Sequence, residues 1–90
     1  MRSVYIVQAG DEPFYKIGIA SDVKQRVRQI RTNSPLEPRV IATRSLENAH
    51  ALEQDLHAIF ERHRLHGEWF CIKDEDDLAY LLKCHAEGTY

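Results

Sequence analysis

Two strand-like segments near the N-terminus constrain the fold of this chain more than any other feature of its sequence. Ser3–Gln8 (SVYIVQ) and Phe14–Ala20 (FYKIGIA) are rich in β-branched and aromatic residues, which is typical of strands. The segment AGDEP between them contains Gly10 and Pro13, two residues that favour a turn. A loop of about five residues is short enough to join antiparallel neighbours. The sequence therefore predicts a β-hairpin at its start.

The rest of the chain alternates helical and extended patterns. Pro38–Arg44 predicts a third strand, and Glu68–Ile72 a short strand or extended segment. Three helices are predicted from apolar spacing and from residues that favour helix starts, beginning near Ser21 or Asp22, near Ser45 or Asn48, and at Asp74–Asp77. The second helix is expected to bury Ala49, Leu52, Leu56, Ile59 and Phe60. The order ββαβα(β)α predicts an α+β fold, with a small central antiparallel sheet of about three strands flanked by about three helices.

Length and composition indicate a small globular protein. With 43% hydrophobic and 29% charged residues, residues 1–90 are expected to form a single domain. No apolar run approaches the roughly 20 residues that span a bilayer, and the first residues lack the apolar core of a signal peptide, so no membrane contact is expected. Cys71 and Cys84 form no close motif and are expected to stay reduced, as in a cytoplasmic protein.

Charge is distributed unevenly along the chain. Residues 1–45 carry a net charge of +4 and residues 46–90 a net charge of −6, although the whole chain has a net charge of only −2. On a helical projection of about 100° per residue, Lys24, Arg28 and Arg31 form a basic stripe along one flank of the first helix. Such a stripe indicates contact with an anion such as a nucleic-acid backbone, and the alternative is a solvated helix surface.

Two further charged residues lie at the edges of buried helix faces. Arg26 lies alone on the other flank of the first helix, where a guanidinium can hold a phosphate through two hydrogen bonds. Glu53 lies beside the apolar stripe of the second helix, and a partly buried carboxylate needs a partner. That partner is either His57 or a nearby arginine, or a hard divalent metal. Lys16 points to the sheet face opposite its neighbour Tyr15, since side chains alternate along a strand.

The order and spacing of these segments resemble the GIY-YIG endonuclease superfamily. Within it, the chain looks most similar to the small subgroup named after a meiotically up-regulated gene and a phage open reading frame. The resemblance runs from about Val4 to Ile72, and GEWF is its most telling segment. The segments that carry it are VYIV, YKIG, DVKQRVRQI, TNSP, AHALEQDLHAIF and GEWF. It implies a GIY-YIG nuclease-like fold.

The resemblance also implies roles for individual residues. Tyr5 matches the tyrosine of the family's first tripeptide, and Lys16 stands in place of the tyrosine of the second. Gly18 matches the glycine of the second tripeptide and is expected to serve a structural turn. Arg26 matches the helix arginine that contacts phosphate, and Glu53 matches the metal-binding glutamate.

The sequence departs from the family pattern at two points. Ile30 occupies the position where the family often has a histidine, and the family's late asparagine has no clear counterpart here. Tyr15, His57 and Glu68 are expected to contact the catalytic side chains and to hold them in position. No glycine-rich phosphate loop, Gly-x-Ser-x-Gly motif or Cys/His nucleophile pattern points to another chemistry.

These features together predict a metal-dependent endonuclease that hydrolyses nucleic-acid phosphodiesters. In this hypothesis one Mg²⁺ or Mn²⁺ is held by Glu53, Arg26 binds the phosphate, and Tyr5 positions or deprotonates water. Lys16 would lower the pKa of Tyr5 or relay protons. DNA is the expected partner, RNA a second option, and a homodimer or a partner protein could supply specificity. The alternatives are a catalytically impaired nucleic-acid-binding module of the same fold and a protein-interaction domain.

Overall fold

A single antiparallel sheet of five strands, with helices on both of its faces, organises the protein. The structure is a computed structural model that describes residues 1–88. The elements in chain order are β1 (Arg2–Ala9), β2 (Phe14–Ala20), α1 (Val23–Thr32), β3 (Pro38–Leu46), α2 (Ala49–Ile59), β4 (Arg64–His66), β5 (Trp69–Cys71) and α3 (Glu75–Glu87). The strands lie in the order β3-β1-β2-β5-β4, and every neighbouring pair is antiparallel.

The α+β class and its three helices are confirmed, and the number of strands is larger than predicted. The extended segment after Gly67 forms β5, which covers Trp69–Cys71 only. β4 was missed altogether, because a strand of three residues is too short to show an alternating pattern. It follows a single 3₁₀ turn at Glu61–His63. No helix within residues 1–88 has both the length and the apolar character needed to cross a membrane.

Alternation along β1 divides the core into two layers. Val4 and Ile6 point to the face covered by α2 and α3, where most of the buried apolar side chains pack. Tyr5 and Val7 point to the other face, where they pack against Val27 and other residues of α1 and β2. Each face of β1 is therefore fully buried, as expected for the central strand of a small sheet.

The starts of all three helices agree with the sequence. The Asp22 carboxylate accepts a hydrogen bond from the Gln25 amide at 3.1 Å and caps α1. Of the two starts predicted for the second helix, Asn48 is the one that opens α2, without a side-chain cap, because β3 continues through Ser45. Ile59 was expected in the buried face of α2 but is 45% exposed, because the helix ends there and Phe60 covers the core instead.

The short length of β5 leaves part of the β2 edge without a strand partner. β5 pairs with β2 only as far as Lys16, and one more hydrogen bond joins the Ile17 amide to the Glu68 carbonyl at 3.0 Å. The next carbonyl oxygen along this edge, that of Ile17, accepts a hydrogen bond from His57 Nε2 at 2.8 Å. Where β5 ends, a side chain of α2 therefore takes over the hydrogen bonding of the β2 edge. The same helix carries Glu53 one turn before His57.

Candidate active site

Tyr5 lies opposite Gly18 in the β1–β2 ladder, on the sheet face that α1 covers. A Cβ atom at position 18 would lie 2.5 Å from Tyr5 Oη and 2.7 Å from Cζ, closer than side chains approach one another. Gly18 was predicted to serve a turn, and this prediction is wrong, since the residue lies within β2. Its glycine is needed because the phenol ring fills the space that a side chain would occupy.

The Tyr5 hydroxyl is buried and makes no hydrogen bond within residues 1–88. Its pKa is raised, first by burial and then by the Glu68 carboxylate; Arg26 opposes the shift, and the charge of Glu53 adds slightly to it. The guanidinium of Arg26 thus acts on the phenol without reaching the geometry of a hydrogen bond. Tyr5 is consequently protonated at neutral pH in the free protein and can act there as a hydrogen-bond donor.

Glu53 is also buried, with one carboxylate oxygen satisfied and the other not. Its Oε1 atom accepts a hydrogen bond from Gln54 Nε2 at 3.2 Å and lies 3.7 Å from His50 Nδ1. Its Oε2 atom has no partner among the described residues. No arginine forms an ion pair with this carboxylate within residues 1–88, so the position of Oε2 fits a ligand from outside the protein.

The remaining candidates fall into two groups. Lys16 and Glu68 lie on the Tyr5 side of the sheet and form an ion pair of 3.5 Å, and the Lys16 ammonium also lies 5.5 Å from the centre of the Trp69 ring. Lys16 is not among the groups that shift the pKa of Tyr5, so the expected lowering of that pKa by Lys16 is absent from the free protein. The positive charge of Lys16 is instead paired with the Glu68 carboxylate.

Tyr15 and His57 do not surround the site as expected. Tyr15 points to the opposite face of the sheet and packs in the core below α2, because it alternates with Lys16 along β2. His57 is not the partner of Glu53, since its Nε2 atom binds the Ile17 carbonyl and its ring packs against Phe70 at 5.2 Å. Both residues therefore have structural roles, Tyr15 in the core and His57 at the edge of β2.

A cleft of about 280 Å³ lies between α1 and β5. Arg26 and Lys16 both line it, so two cations face one cavity. Sequence reasoning gave no functional role to the other lining side chains. These are Gln29, Ile30, Asn33, Ser34 and Trp69. It also gave none to His50, whose three-residue spacing from Glu53 along α2 was the available signal.

Only part of the predicted basic stripe is free to meet an anion. Lys24 and Arg28 are exposed and form no ion pair with another described residue. Arg31 is held by Glu37, with 2.8 Å between Nη2 and Oε1. The available charge on α1 therefore comes mainly from Lys24 and Arg28.

The side chains around Glu53 fit one kind of metal ion and not another. No group of three or more His, Cys, Asp or Glu side chains that could hold a metal occurs within the described part of the chain. Mg²⁺ does not need such a group, because it keeps several waters and is usually bound by one or two carboxylates together with phosphate oxygens. The unpartnered Oε2 atom of Glu53 suits that kind of site.

An arginine beside a buried phenol, a buried unpaired carboxylate whose charge acts on that phenol, and cations along α1 are suited to handling the phosphates of a polynucleotide. At this level the chain is a nuclease-like or nucleic-acid-binding module. Residues 2–85 match the T5orf172 domain, and the chain belongs to that family. No curated protein and no solved structure matches it. The match agrees with the resemblance to the subgroup named after a phage open reading frame.

Proposed function

We propose that the protein is a metal-dependent endonuclease of GIY-YIG type that hydrolyses phosphodiester bonds in DNA, or alternatively in RNA. One observation carries the proposal. Within residues 1–88, only two buried side-chain atoms lack a hydrogen-bond partner, and these are Tyr5 Oη and Glu53 Oε2. Buried polar atoms are normally satisfied, and the charges of both Arg26 and Glu53 act on the Tyr5 phenol, so the two unsatisfied atoms indicate a site that a substrate completes.

Arg26 stabilises the reacting phosphate in this proposal. It is half-buried at the edge of α1, lines the cleft, and lies near the Tyr5 hydroxyl. A guanidinium presents its donors in a fixed fork that matches two oxygens of one phosphate. Since negative charge grows on those oxygens during attack, a cation held in place beforehand lowers the barrier more than it strengthens binding.

Tyr5 and Glu53 complete the site from the hairpin and from α2. The protonated phenol of Tyr5 donates a hydrogen bond that orients the attacking water or a phosphate oxygen, which its raised pKa favours over removal of a proton. Glu53 would hold one Mg²⁺ or Mn²⁺ through Oε2, and such an ion supplies Lewis-acid stabilisation of the phosphate. The Lys16–Glu68 pair borders the same space and can exchange partners when a phosphate enters.

The direct test is cleavage of supercoiled plasmid DNA by the purified protein. We expect nicked and linear products with Mg²⁺ or Mn²⁺ and none with a chelator present. Equal cleavage by the wild type and by Glu53→Ala would contradict the proposal. Measuring an RNA substrate of the same length in parallel decides which nucleic acid is preferred.

Arg26→Lys is expected to lower the cleavage rate about a hundredfold with little change in substrate affinity. The variant keeps the positive charge but loses the forked donor geometry, and loss of one such contact costs about 10² to 10³ in rate. The measurement is kcat and KM on a fluorescent oligonucleotide. Arg28→Lys, two residues further on the exposed flank, serves as the matched control and should stay near wild type. A large rise in KM with unchanged kcat would show that Arg26 only binds.

The second candidate function is a nucleic-acid-binding module without catalysis. It is favoured by the complete burial of Tyr5 and by Ile30, which stands where the related nucleases often have a histidine. In this case the protein binds DNA but yields no metal-dependent products in the plasmid assay. Both candidates share the same electrostatic surface on α1.

Arg28→Ala should weaken DNA binding and reduce its dependence on salt, whether or not the protein cleaves. Each phosphate contact contributes about one unit to the slope of log K against log salt, so the slope should fall by about one. Arg31→Ala should change the slope less, because Arg31 already pairs with Glu37. Fluorescence polarisation at several salt concentrations measures both. Equal slopes for Arg28→Ala and the wild type would place the DNA elsewhere.

A further inference from the structure

A second cleft lies directly beside the one that Arg26 lines. It has a volume of about 310 Å³ and lies between the loop after α1 and the β4–β5 hairpin. Phe14, His66 and Trp69 bring three aromatic rings to its walls, and Leu36 and Leu65 add apolar surface. The two clefts share Asn33, Ser34 and Trp69 as a common wall.

The lining of this second cleft is mainly apolar. Leu36 is 38% exposed and Leu65 is 51% exposed, and these are two of the few large apolar side chains that the fold leaves open. Single exposed apolar residues are common, but a concave group of them beside a polar site indicates binding. The segment TNSP and the tryptophan of GEWF, to which the proposed catalytic roles give no function, both contribute to the cleft.

The two clefts differ in the chemistry that they offer. Lys16 and Arg26 face the first cleft, which therefore suits a phosphate. Among residues 1–88, no lysine or arginine lines the second cleft, which offers aromatic and aliphatic surface and suits a flat, weakly polar group. A nucleotide carries both of these groups, a phosphate and a flat base, only a few bonds apart. The volume of the second cleft, about 310 Å³, lies near the lower end of the roughly 300–1,000 Å³ typical of small-ligand sites and is enough for one base.

Asn33 supplies a polar group at the boundary. Its Nδ2 atom donates to the Gln29 carbonyl at 3.1 Å, which fixes the amide at the end of α1. Its Oδ1 atom accepts no hydrogen bond within residues 1–88 and is available to an exocyclic amine of a base. The Ser34 hydroxyl, in contrast, is used by its own loop, through the amide and the carbonyl of Leu36.

We infer that the second cleft receives the base of the nucleotide next to the phosphate bound at Arg26. The inference rests on the proposed function and narrows its substrate. A base can enter a side cleft only when it is not paired within a duplex, so the favoured substrate is a single strand, or a duplex with an unpaired nucleotide at the cleavage point. Trp69, His66 and Phe14 provide the aromatic surface against which that base packs.

Trp69 makes the inference directly measurable, because it is the only tryptophan of the chain. The probes are a short single-stranded DNA oligonucleotide and the same strand with one abasic position, both titrated in the presence of a chelator so that no cleavage occurs. The intact strand is expected to bind about tenfold more tightly and to quench the tryptophan emission, since packing of one base on an aromatic side chain is worth about that much.

Leu65→Glu tests the cleft without touching the proposed catalytic residues. Leu65 is exposed in the edge strand β4, so the variant should fold, and the added acid faces a nucleotide that carries negative charge. We expect it to abolish most of the tenfold preference for the intact strand. Ile59→Glu is the matched control, because Ile59 is similarly exposed at the end of α2 and lines neither cleft.

The outcomes separate this inference from the proposed function. Equal affinity for the intact and the abasic strand would overturn the inference, and so would absence of binding by both at low salt. A change of oligomeric mass in Leu65→Glu, measured by analytical ultracentrifugation, would assign the cleft to a second copy of the chain and overturn it as well. The proposed nuclease activity stands or falls separately, in the plasmid assay with the Glu53 variant.

Discussion

Glu53→Gln is expected to lower the rate of metal-dependent cleavage about a thousandfold while the fold stays intact. Within residues 1–88, Glu53 offers the one buried carboxylate oxygen without a partner, and its charge acts on Tyr5, so its loss removes the main protein ligand proposed for the ion. The electrostatic stabilisation at stake is several kcal/mol, and each 1.4 kcal/mol or so changes the rate tenfold. Glutamine has nearly the same shape, so the free energy of unfolding should stay within about 1 kcal/mol.

Two measurements check this prediction. Initial rates with Mn²⁺ give the loss of activity, and thermal unfolding with and without Mn²⁺ gives a signal that does not depend on catalysis. Ion binding to the folded state raises Tm of the wild type, and it should not raise that of Glu53→Gln. Asp55→Asn, an exposed carboxylate on the same helix, is the matched control and should behave as wild type. A Tm shift by Mn²⁺ that survives in Glu53→Gln would place the ion elsewhere.

Gly18→Ala is expected to remove activity and to destabilise the fold by about 1–3 kcal/mol. The new methyl group would lie 2.5 Å from Tyr5 Oη and 2.9 Å from a carboxylate oxygen of Glu68, so the phenol ring or the strand must move. Tyr5 is fully buried and packs against Val27 of α1, so a shift of its ring disturbs the core on this face of the sheet. The same single methyl group therefore affects both the core and the site.

A double-mutant cycle distinguishes this clash from a general loss of strand stability. Tyr5→Phe removes the hydroxyl that the methyl group meets first, so the pair Tyr5→Phe and Gly18→Ala should be more stable than the sum of the single effects predicts. Chemical denaturation of the four proteins gives the coupling free energy. Strictly additive effects would show that Gly18 matters only for backbone freedom. Tyr5→Phe alone should leave stability nearly unchanged, because its hydroxyl has no partner to lose.

The sequence predicted the fold where its patterns are long enough to be periodic. The β1–β2 hairpin, the three helices and the Asp22 cap all arise from local chemistry, namely alternation, helical spacing and a side chain that reaches a free amide. β4 could not be predicted in the same way. Its three residues pair with β5 through a register shift and are extended because of that neighbour rather than because of their own composition.

The site was predictable where a charge lay beside an apolar stripe. Arg26 and Glu53 both occupy such positions, and both lie near Tyr5. Partners across the sheet were not predictable, because they depend on which elements meet. His57 lies one turn from Glu53 and was a reasonable partner for it. Because β5 is short, however, the Ile17 carbonyl has no strand partner and accepts a hydrogen bond from His57 instead. The Lys16–Glu68 ion pair likewise depends on tertiary structure, because the pairing of β5 with β2 places Lys16 opposite Trp69, next to Glu68.

The β4–β5 hairpin has a consequence for how this architecture can diversify. Of the residues in its two strands only Phe70 is fully buried, while the side chains that border the clefts are partly or largely open to water. Substitutions at the open positions leave the interior nearly untouched, so their cost in folding free energy is small. Substitutions at a few rim positions can therefore change what the clefts accept, while the central strand β1 and the helices that carry Arg26 and Glu53 stay the same.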